Sequence, residues 1–462
     1  MTVFSLLSGR VIGGVLLLGA CVGAAAAAGI QTRTLPNRLK VIVKEDHRAP
    51  VVVSMVWYRA GGMDEISGTT GVAHVLEHMM FKGTQQVPAG EFSKIIAAAG
   101  GRDNAFTSKD YTAYFQQLQK SRLPLAFKLE ADRMRNLRLT DEEFKKEIKV
   151  VMEERRWRTD DQPRALLYER LLATAFLAHP YRAPVIGWMG DLQNMQPADA
   201  RDWYRKWYAP NNASLVIVGD VRAEDVFALA RRHFGPIPPR TLPERRPQQE
   251  PAQLGIRRIT VRAPAQLPYL MMAYRVPSLQ DPARDWEPYA LEVLVGILDG
   301  SDAARLQREL LRRERLATSV GASYDSISRG PGLLMLDGSP VEGRTVEELE
   351  AALRSQIQRI IQEGVDPAEL ERVKTQLRAA QVFERDSMFY QAMQIGQLVS
   401  AGLPPDSQDV MLGKLQAVTA EQVQAVAKKY FRDDQLTVGV LQPLPLPRPP
   451  APASAPGGRH GG

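Results

Sequence analysis

His74, Glu77 and His78 fall within one short stretch, Gly71–Gly83 (GVAHVLEHMMFKG). Histidines four apart on a helix project from the same face and can grip a single ion. Glu77 then lies about a quarter turn round, where its carboxylate can reach a water on that ion. The spacing predicts a helix capped by Thr69 or Thr70 and ended at Gly83, with Val72, Leu76, Met79 and Met80 as its apolar side. The order His-x-x-Glu-His is the inverted form of a zinc-hydrolase motif. The competing reading is a helix that carries two ordinary histidines.

A catalytic zinc takes three protein ligands and keeps one position open. The third ligand is sought in Thr140–Phe176, which opens on a capping box (Thr140 with Glu143) and has a strongly acidic first half. There Phe144, Glu147, Val151 and Glu154 recur at three- and four-residue steps and share a face. Carboxylates on a partly apolar face are costly unless something pairs with them, and a metal would do so. Glu153 competes as a ligand, but it points with Lys146, Lys149 and Val150 toward a solvent or salt-bridge side. A solvated face with i,i+4 pairs is the alternative for Glu147 and Glu154.

With these residues in hand the chain resembles the pitrilysin-like (M16) zinc peptidases, in particular their bacterial two-domain processing-peptidase-like members. That family carries His-x-x-Glu-His, then a glutamate some 75 residues on with another glutamate seven before it; here Glu154 follows His78 by 76 positions and Glu147 by seven. The likeness extends to Phe81-Lys-Gly-Thr84, to GGRDNAFTSKDYTAY from Gly100 to Tyr114, and to HPYRAPVIG from His179 to Gly187. It implies one zinc ion per chain held by His74, His78 and Glu154, with Glu77 as general base and Glu147 steadying the site from behind. It also assigns peptide binding to the strand around Asn104, Ala105, Phe106 and Thr107. The fold it implies is α+β: two homologous αβ domains of the LuxS/metallohydrolase-like kind, each a mostly antiparallel sheet packed with helices.

The elements that must position these residues can be read around them. The chain has 462 residues, 44% hydrophobic and 24% charged, enough for two sizeable cores. Its net charge of +7 is spread without a basic block or interleaved aromatics, so no nucleic-acid partner is expected. Strands are expected at Leu39–Lys44, Val51–Ala60, Asn104–Gln117 (as one exposed-edge strand) and Leu215–Val218, with helices at Glu91–Ala99 and Ala223–Phe234. Pro236–Gln253 is Pro-rich, charged and nearly free of apolar residues, which places a linker at 240–253 between domains at 31–239 and 254–442. The second domain should hold a strand at Tyr269–Tyr274 and a helix at Glu287–Leu298. Near its end, Thr419–Leu441 echoes Pro197–Asp220 about 222 positions earlier, each giving a helix, an aromatic pair, a polar turn and an apolar strand. The repeat has no histidine in its second copy, so only the first can hold the metal.

Residues 1–28 read as an export signal, with Arg10 before an apolar, Ala-rich run and cleavage near Ala28. The only cysteine, Cys21, sits in Leu18-Gly-Ala-Cys21, the pattern of lipoprotein processing, so lipid anchoring is the variant. Either route leads to a bacterial periplasm, with no transmembrane span and no disulfide in the mature chain. The tail 443–462, rich in Pro, Gly and Ala, is expected to be disordered. His47 and His233 read as solvated, His179 as fixing a turn, and His460 as too isolated to be a ligand.

Together these readings predict a zinc endopeptidase acting on peptides or unfolded polypeptides held by β-augmentation along the edge strand. One departure bears on partners. Many family members carry in the second half an Arg and, seven residues later, a Tyr that bind substrate, within a chamber of four such domains. In Glu309–Val320 (ELLRRERLATSV) those positions fall on Leu311 and Thr318, and neither replaces an Arg fork or a phenol. The expected assembly is therefore a heterodimer in which a metal-less homologue supplies the Arg/Tyr pair, a homodimer being the variant. A non-catalytic assembly subunit of the same fold and a zinc hydrolase of small molecules are the alternatives.

Overall fold

The computed structural model describes residues 29–446. The expected export signal with Cys21, and the tail beyond 446 with His460, lie outside the described residues. Two sheets organise the rest. The first has the order β1-β2-β6-β3-β5-β4, built from β1 (Gln31–Thr34), β2 (Lys40–Glu45), β3 (Val51–Tyr58), β4 (Arg102–Thr107), β5 (Thr112–Gln119) and β6 (Ala213–Gly219). The second has the order β7-β11-β8-β10-β9, from β7 (Arg257–Pro264), β8 (Tyr269–Val276), β9 (Ala317–Tyr324), β10 (Gly332–Pro340) and β11 (Leu436–Leu444). In each half the last strand pairs parallel with an early one and antiparallel with the next: β6 with β2 and β3, β11 with β7 and β8. All other pairs are antiparallel. The repeat heard in the sequence is thus a repeat of strand pairing.

Helices α1 (Val72–Met79), α2 (Glu91–Ala98), α3 (Leu123–Asn136), α4 (Asp141–Arg155), α5 (Pro163–Ala175), α6 (Met189–Asn194), α7 (Pro197–Trp207) and α8 (Ala223–His233) belong to the first half. The second half adds α9 (Glu287–Asp299), α10 (Val346–Glu363), α11 (Pro367–Glu384), α12 (Met388–Ala401), α13 (Gln408–Ala417) and α14 (Ala420–Tyr430). One face of the first sheet meets α1, α3, α4, α7 and α8 in a core that includes Leu39, Val56, Leu76, Phe127, Val151 and Trp203. The second sheet closes a comparable core over α9, α10 and α14 with Leu270, Leu294, Leu353 and Val426.

The opposite sheet faces are covered by exchange. From the second half, α12 sets Ala392 and Ile395 against Val53, Met55, Trp57, Val216 and Val218 of the first sheet. From the first half, α5 sets Leu167 and Leu171 against Ala263, Met271, Ala273 and Leu441 of the second. This explains why β3 reads VVVSMVWY, apolar on both sides, where a strand with one wet face would alternate. Gly396 of α12 lies directly on the Trp57 indole, with no room for a methyl group.

Several expectations are corrected here. Asn104–Gln117 is a hairpin, with β4 at the sheet edge and β5 inside, joined through Ser108–Tyr111. Residues 240–253, expected as the linker, have no regular structure and are tied to the residues they cross, as a strap. Arg245 pairs with Asp64 at 3.0 Å, Glu250 accepts from the amides of Leu177, Ala178 and His179 at 2.7–2.9 Å, and Gln253 donates to the Leu436 carbonyl at 2.6 Å. Strand β11 runs into the stretch expected to lack structure, pairing Pro443 with Ala263 and Leu444 with Pro264. Pro443 is tolerated because the β8 ladder has already ended at Leu441, so no neighbour needs its missing N–H.

Candidate metal centre

The start of α1 is fixed by groups other than the expected threonine caps. Gly71 occupies the N-cap with φ 91°, a left-handed conformation that suits glycine. A β-carbon there would also collide with the backbone of Ile186 and Gly187. The carboxylate of Glu65 accepts from the amides of Gly71 and Ala73, both at 2.8 Å, and so supplies the acceptors that a threonine cap would have offered. Thr70 instead donates its hydroxyl to Asp191 at 2.5 Å. Helix α4 is capped by Thr140, whose hydroxyl accepts from the Glu143 amide at 3.3 Å. The reciprocal half of the expected box is absent, because the Glu143 carboxylate binds Lys146 at 2.9 Å.

These two helices bring His74, His78 and Glu154 together. The nearest ligand atoms of the three lie within 4.8 Å of one another. Glu154 Oε2 stands 3.3 Å from His78 Nε2 and 3.8 Å from His74 Nε2. Tetrahedral coordination with bonds of about 2.0–2.1 Å separates adjacent ligand atoms by about 3.3 Å, so this donor set fits a zinc ion with little movement. The outer nitrogen of His78 is committed to Glu147 Oε1 at 3.0 Å, which holds the Nε2 lone pair toward the centre. Lys82 Nζ binds the other Glu147 oxygen at 2.5 Å, and Arg158 Nη1 binds Glu154 Oε1 at 2.9 Å. Glu153 is 72% exposed and pairs with Arg156, away from the centre.

The electrostatics favour neutral imidazole at His74. Burial, helped by the charges of His78 and Arg158, holds its pKa down at about 3. For His78 burial works the other way from its neighbours; the Glu147 hydrogen bond and the charges of Glu154 and Glu77 prevail and raise it. Burial also raises Glu77, against a hydrogen bond of 2.5 Å donated by the Thr107 hydroxyl to its Oε2. Glu147 is buried too, but bonds from His78 and Lys82 hold its carboxyl below the usual range.

Of the edge residues, the hairpin closure (Ser108 N–H to Tyr111 C=O, 2.8 Å) puts Phe106 and Asn104 in the bonded pairs with Ala113 and Phe115. The backbone groups of Ala105 and Thr107 therefore face the open edge, where Asn104 Oδ1 accepts from the Ala105 amide at 2.9 Å. The Phe106 ring turns to the α12 side, against Trp57 and Tyr111. In the second half, Leu311 packs on the second core and Thr318 donates to the Ser339 carbonyl at 3.3 Å. His47 is exposed between Asp220 and Glu45, and His179 Nδ1 accepts from the Tyr181 amide at 3.2 Å, fixing a turn.

Sequence reasoning missed Lys82, Arg158 and the Thr107 hydroxyl. The first two carried a signal: Lys82 follows His78 by four residues and Arg158 follows Glu154 by four, the spacing of neighbours on a helix face. The Thr107–Glu77 contact crosses from strand to helix and had none.

Comparison with known proteins bears on both halves. Residues 40–187 match the family model described as Insulinase (Peptidase family M16), and residues 194–377 match the one described as Peptidase M16 inactive domain. The chain is 32% identical over 416 residues to a Helicobacter pylori protein named zinc protease PqqE, covering 89% of this chain and 92% of that one. A crystal structure of a protease from Helicobacter pylori superposes with a TM-score of 0.85 at 30% identity, covering 90% of this chain and all of that one. The periplasmic protease PqqL of Escherichia coli shares the fold (TM-score 0.76, 20% identity), with 90% of this chain matching 47% of that one.

Proposed function

The chain belongs to the M16 peptidase family, whose members similar to it include proteins named zinc proteases, and from that premise we propose that it is a zinc-dependent endopeptidase cleaving peptides or unfolded polypeptides. One observation carries the reading: two neutral-capable imidazoles from α1 and one carboxylate from α4 converge within 4.8 Å, beside a second half-buried carboxylate, Glu77, held by the Thr107 hydroxyl. His74, His78 and Glu154 would hold one zinc ion per chain. Bound there, zinc supplies Lewis acidity toward a carbonyl and acidifies water at its open position.

The chain's own residues do the rest. Glu77 takes a proton from the attacking water and returns it to the departing amine, base first and acid second. Burial raises its carboxyl, which suits a group that must be protonated midway, and the Thr107 hydroxyl aims it. Glu147 orients His78, and Lys82 keeps Glu147 ionised. An extended polypeptide added along β4 would bond to the outward backbone of Ala105 and Thr107, next to Glu77.

The second half brings no Arg and Tyr at Leu311 and Thr318, which supports a heterodimer with a metal-less homologue that provides them. The periplasm is the proposed location, in keeping with the expected export signal and with the periplasmic neighbour of the same fold. The test is zinc content together with peptide cleavage by wild type and Glu77→Gln. The variant should retain zinc and lose turnover by at least a hundredfold. A wild type that binds zinc yet cleaves no peptide, alone or with its partner, would favour an assembly subunit instead.

A further inference from the structure

The second sheet repeats the first strand by strand: β9 ends the order β7-β11-β8-β10-β9 as β4 ends β2-β6-β3-β5-β4. The helices repeat too, α9 packing on β9 and α11 as α1 packs on β4 and α4. In the first half this layout holds the candidate metal centre. There the Glu77 carboxylate of α1 accepts from the hydroxyl of Thr107, the last residue of β4, and Glu154 is the fourteenth residue of α4. In the second half the Glu292 carboxylate of α9 accepts from the hydroxyl of Ser326, two residues past the end of β9. The fifteenth residue of α11, Gln381, borders the same space. The acid–hydroxyl couple recurs, while the histidines are gone and a glutamine stands on the helix that corresponds to α4.

This couple borders a cavity of about 280 Å³ lined wholly by the second half. At about 30 Å³ each it has room for roughly nine waters, and it falls just below the range of about 300–1,000 Å³ that suits drug-sized ligands. Its occupant is therefore a small molecule and not a length of chain. The charges along its lining are unequally committed. Glu292 is bonded to the neutral Ser326 hydroxyl, and among the described residues no basic side chain lies within salt-bridge distance of it. Burial raises its carboxyl to about 7, which marks a carboxylate short of a counter-charge. One turn beyond Gln381, at the end of α11, Arg385 brings the opposite sign. Its partner is Asp409 at 2.6 Å, a side chain 82% exposed, and a pair so open to water contributes at most about 1 kcal/mol. The Arg385 guanidinium can thus be shared with a ligand. Leu398 and Met411, both buried, add apolar surface. A lone cation would satisfy Glu292 and meet repulsion from Arg385; a lone anion would do the reverse. A molecule carrying both charges and an apolar part satisfies all of them.

We propose that this cavity binds a small zwitterion, a free amino acid with an apolar side chain, its ammonium group on Glu292, its carboxylate on Arg385 and its side chain against Leu398 and Met411. The metal-free half is then a ligand-binding unit built on the plan of the metal-bearing one. Helix α12 joins the two, since Gln394 and Leu398 border the cavity while Ala392 and Ile395 sit on the first sheet. The inference does not depend on the peptidase reading.

The test is calorimetry on the full zinc-loaded chain with L-leucine as probe. Leucine should bind saturably. N-acetyl-leucine, which lacks the ammonium group, and leucinamide, which lacks the carboxylate, should each bind about tenfold to a hundredfold more weakly, the range for a hydrogen bond to a charged group. Glu292→Gln should weaken leucine by a similar factor and bring leucine and N-acetyl-leucine level. Arg385→Met should do the same for leucine and leucinamide. Leucyl-leucine bears the same two charges further apart, and tighter binding of it would make a dipeptide the source of the zwitterion. Circular dichroism checks that the variants fold; if one does not, the blocked analogues on wild type still decide. No saturable binding of leucine or leucyl-leucine, blocked analogues that bind as well as leucine, or affinity left unchanged by both substitutions overturns the inference. None of these readouts requires turnover, so peptide cleavage can fail or succeed separately.

Discussion

Gly396→Ala is the substitution on which the account of the interlocked halves can be judged. In an exposed helix the change from Gly to Ala stabilises by about 1 kcal/mol, because the backbone loses less freedom on folding. Gly396 is interior to α12, so that gain is available here too. Against it stands the Trp57 indole. A β-carbon at position 396 would fall well inside the contact distance of three indole atoms, whereas carbon atoms rest at about 3.5–4.0 Å. The ring has nowhere to go: Trp57 is 1% exposed and braced edge-on by Phe106 and Tyr111 at 5.4 and 4.7 Å between centroids. The helix must lift off the sheet, opening the contacts of Ala392 and Ile395 as well. Overpacking of this kind costs about 3 kcal/mol at the upper end of its usual range. After the propensity gain, about 2 kcal/mol of destabilisation should remain. Gly413, interior to α13 with nothing within 4 Å of its β-carbon position, is the internal control, and Gly413→Ala should stabilise by up to about 1 kcal/mol. Urea unfolding of the zinc-loaded protein, followed by tryptophan fluorescence, measures both. If Gly396→Ala were as stable as Gly413→Ala, α12 would not seat on Trp57 as described.

Three further outcomes are expected. Glu147→Gln should weaken zinc binding about tenfold to a hundredfold in a chelator competition, since it slackens the bond that orients His78, with little change in circular dichroism. Asp64→Ala should destabilise by about 3–5 kcal/mol, because it strands Arg329, bonded to Asp64 at 2.7 and 3.0 Å, together with Arg245. Arg245→Met should cost distinctly less in the same urea titration, as that guanidinium is 27% exposed and Asp64 would keep Arg329. Burial brings the Lys109 amine down from 10.5 to about 8. Between those values the unfolded chain binds more protons than the folded one, so stability should rise with pH from about 8 to 10.5, a slope that Lys109→Met should lack.

The metal-ligand candidates were the most legible feature because their signal is local: residues four apart on one helix share a face whatever the fold does. Glu147 and Glu154 followed for the same reason, and Glu153 was correctly set on the solvent side. Legibility failed where the deciding contact lay far off in sequence. Nothing near Thr70 announces that Glu65 will take over as acceptor for the first amides of α1. The turn Ser108-Lys109-Asp110-Tyr111 carries no glycine or proline, so two strands read as one. The 240–253 strap looks like any polar linker, since its anchors are single ion pairs and carbonyl bonds to distant residues. The apolar outer faces of β3 and β6 were visible as strands, but their cover, α12, arrives some 170 residues after β6 ends.

That reciprocal cover has a practical corollary. Nicking the strap by limited proteolysis should leave both fragments travelling as one particle, because neither sheet can shed its borrowed helix without wetting a row of valines, leucines and tryptophan. Expressed separately, each fragment would expose such a surface and self-associate. Because α5 follows within ten residues of Glu154, the acid proposed to complete the metal set hangs from the beam that bolts the two lobes together, and loosening either lobe should weaken metal binding.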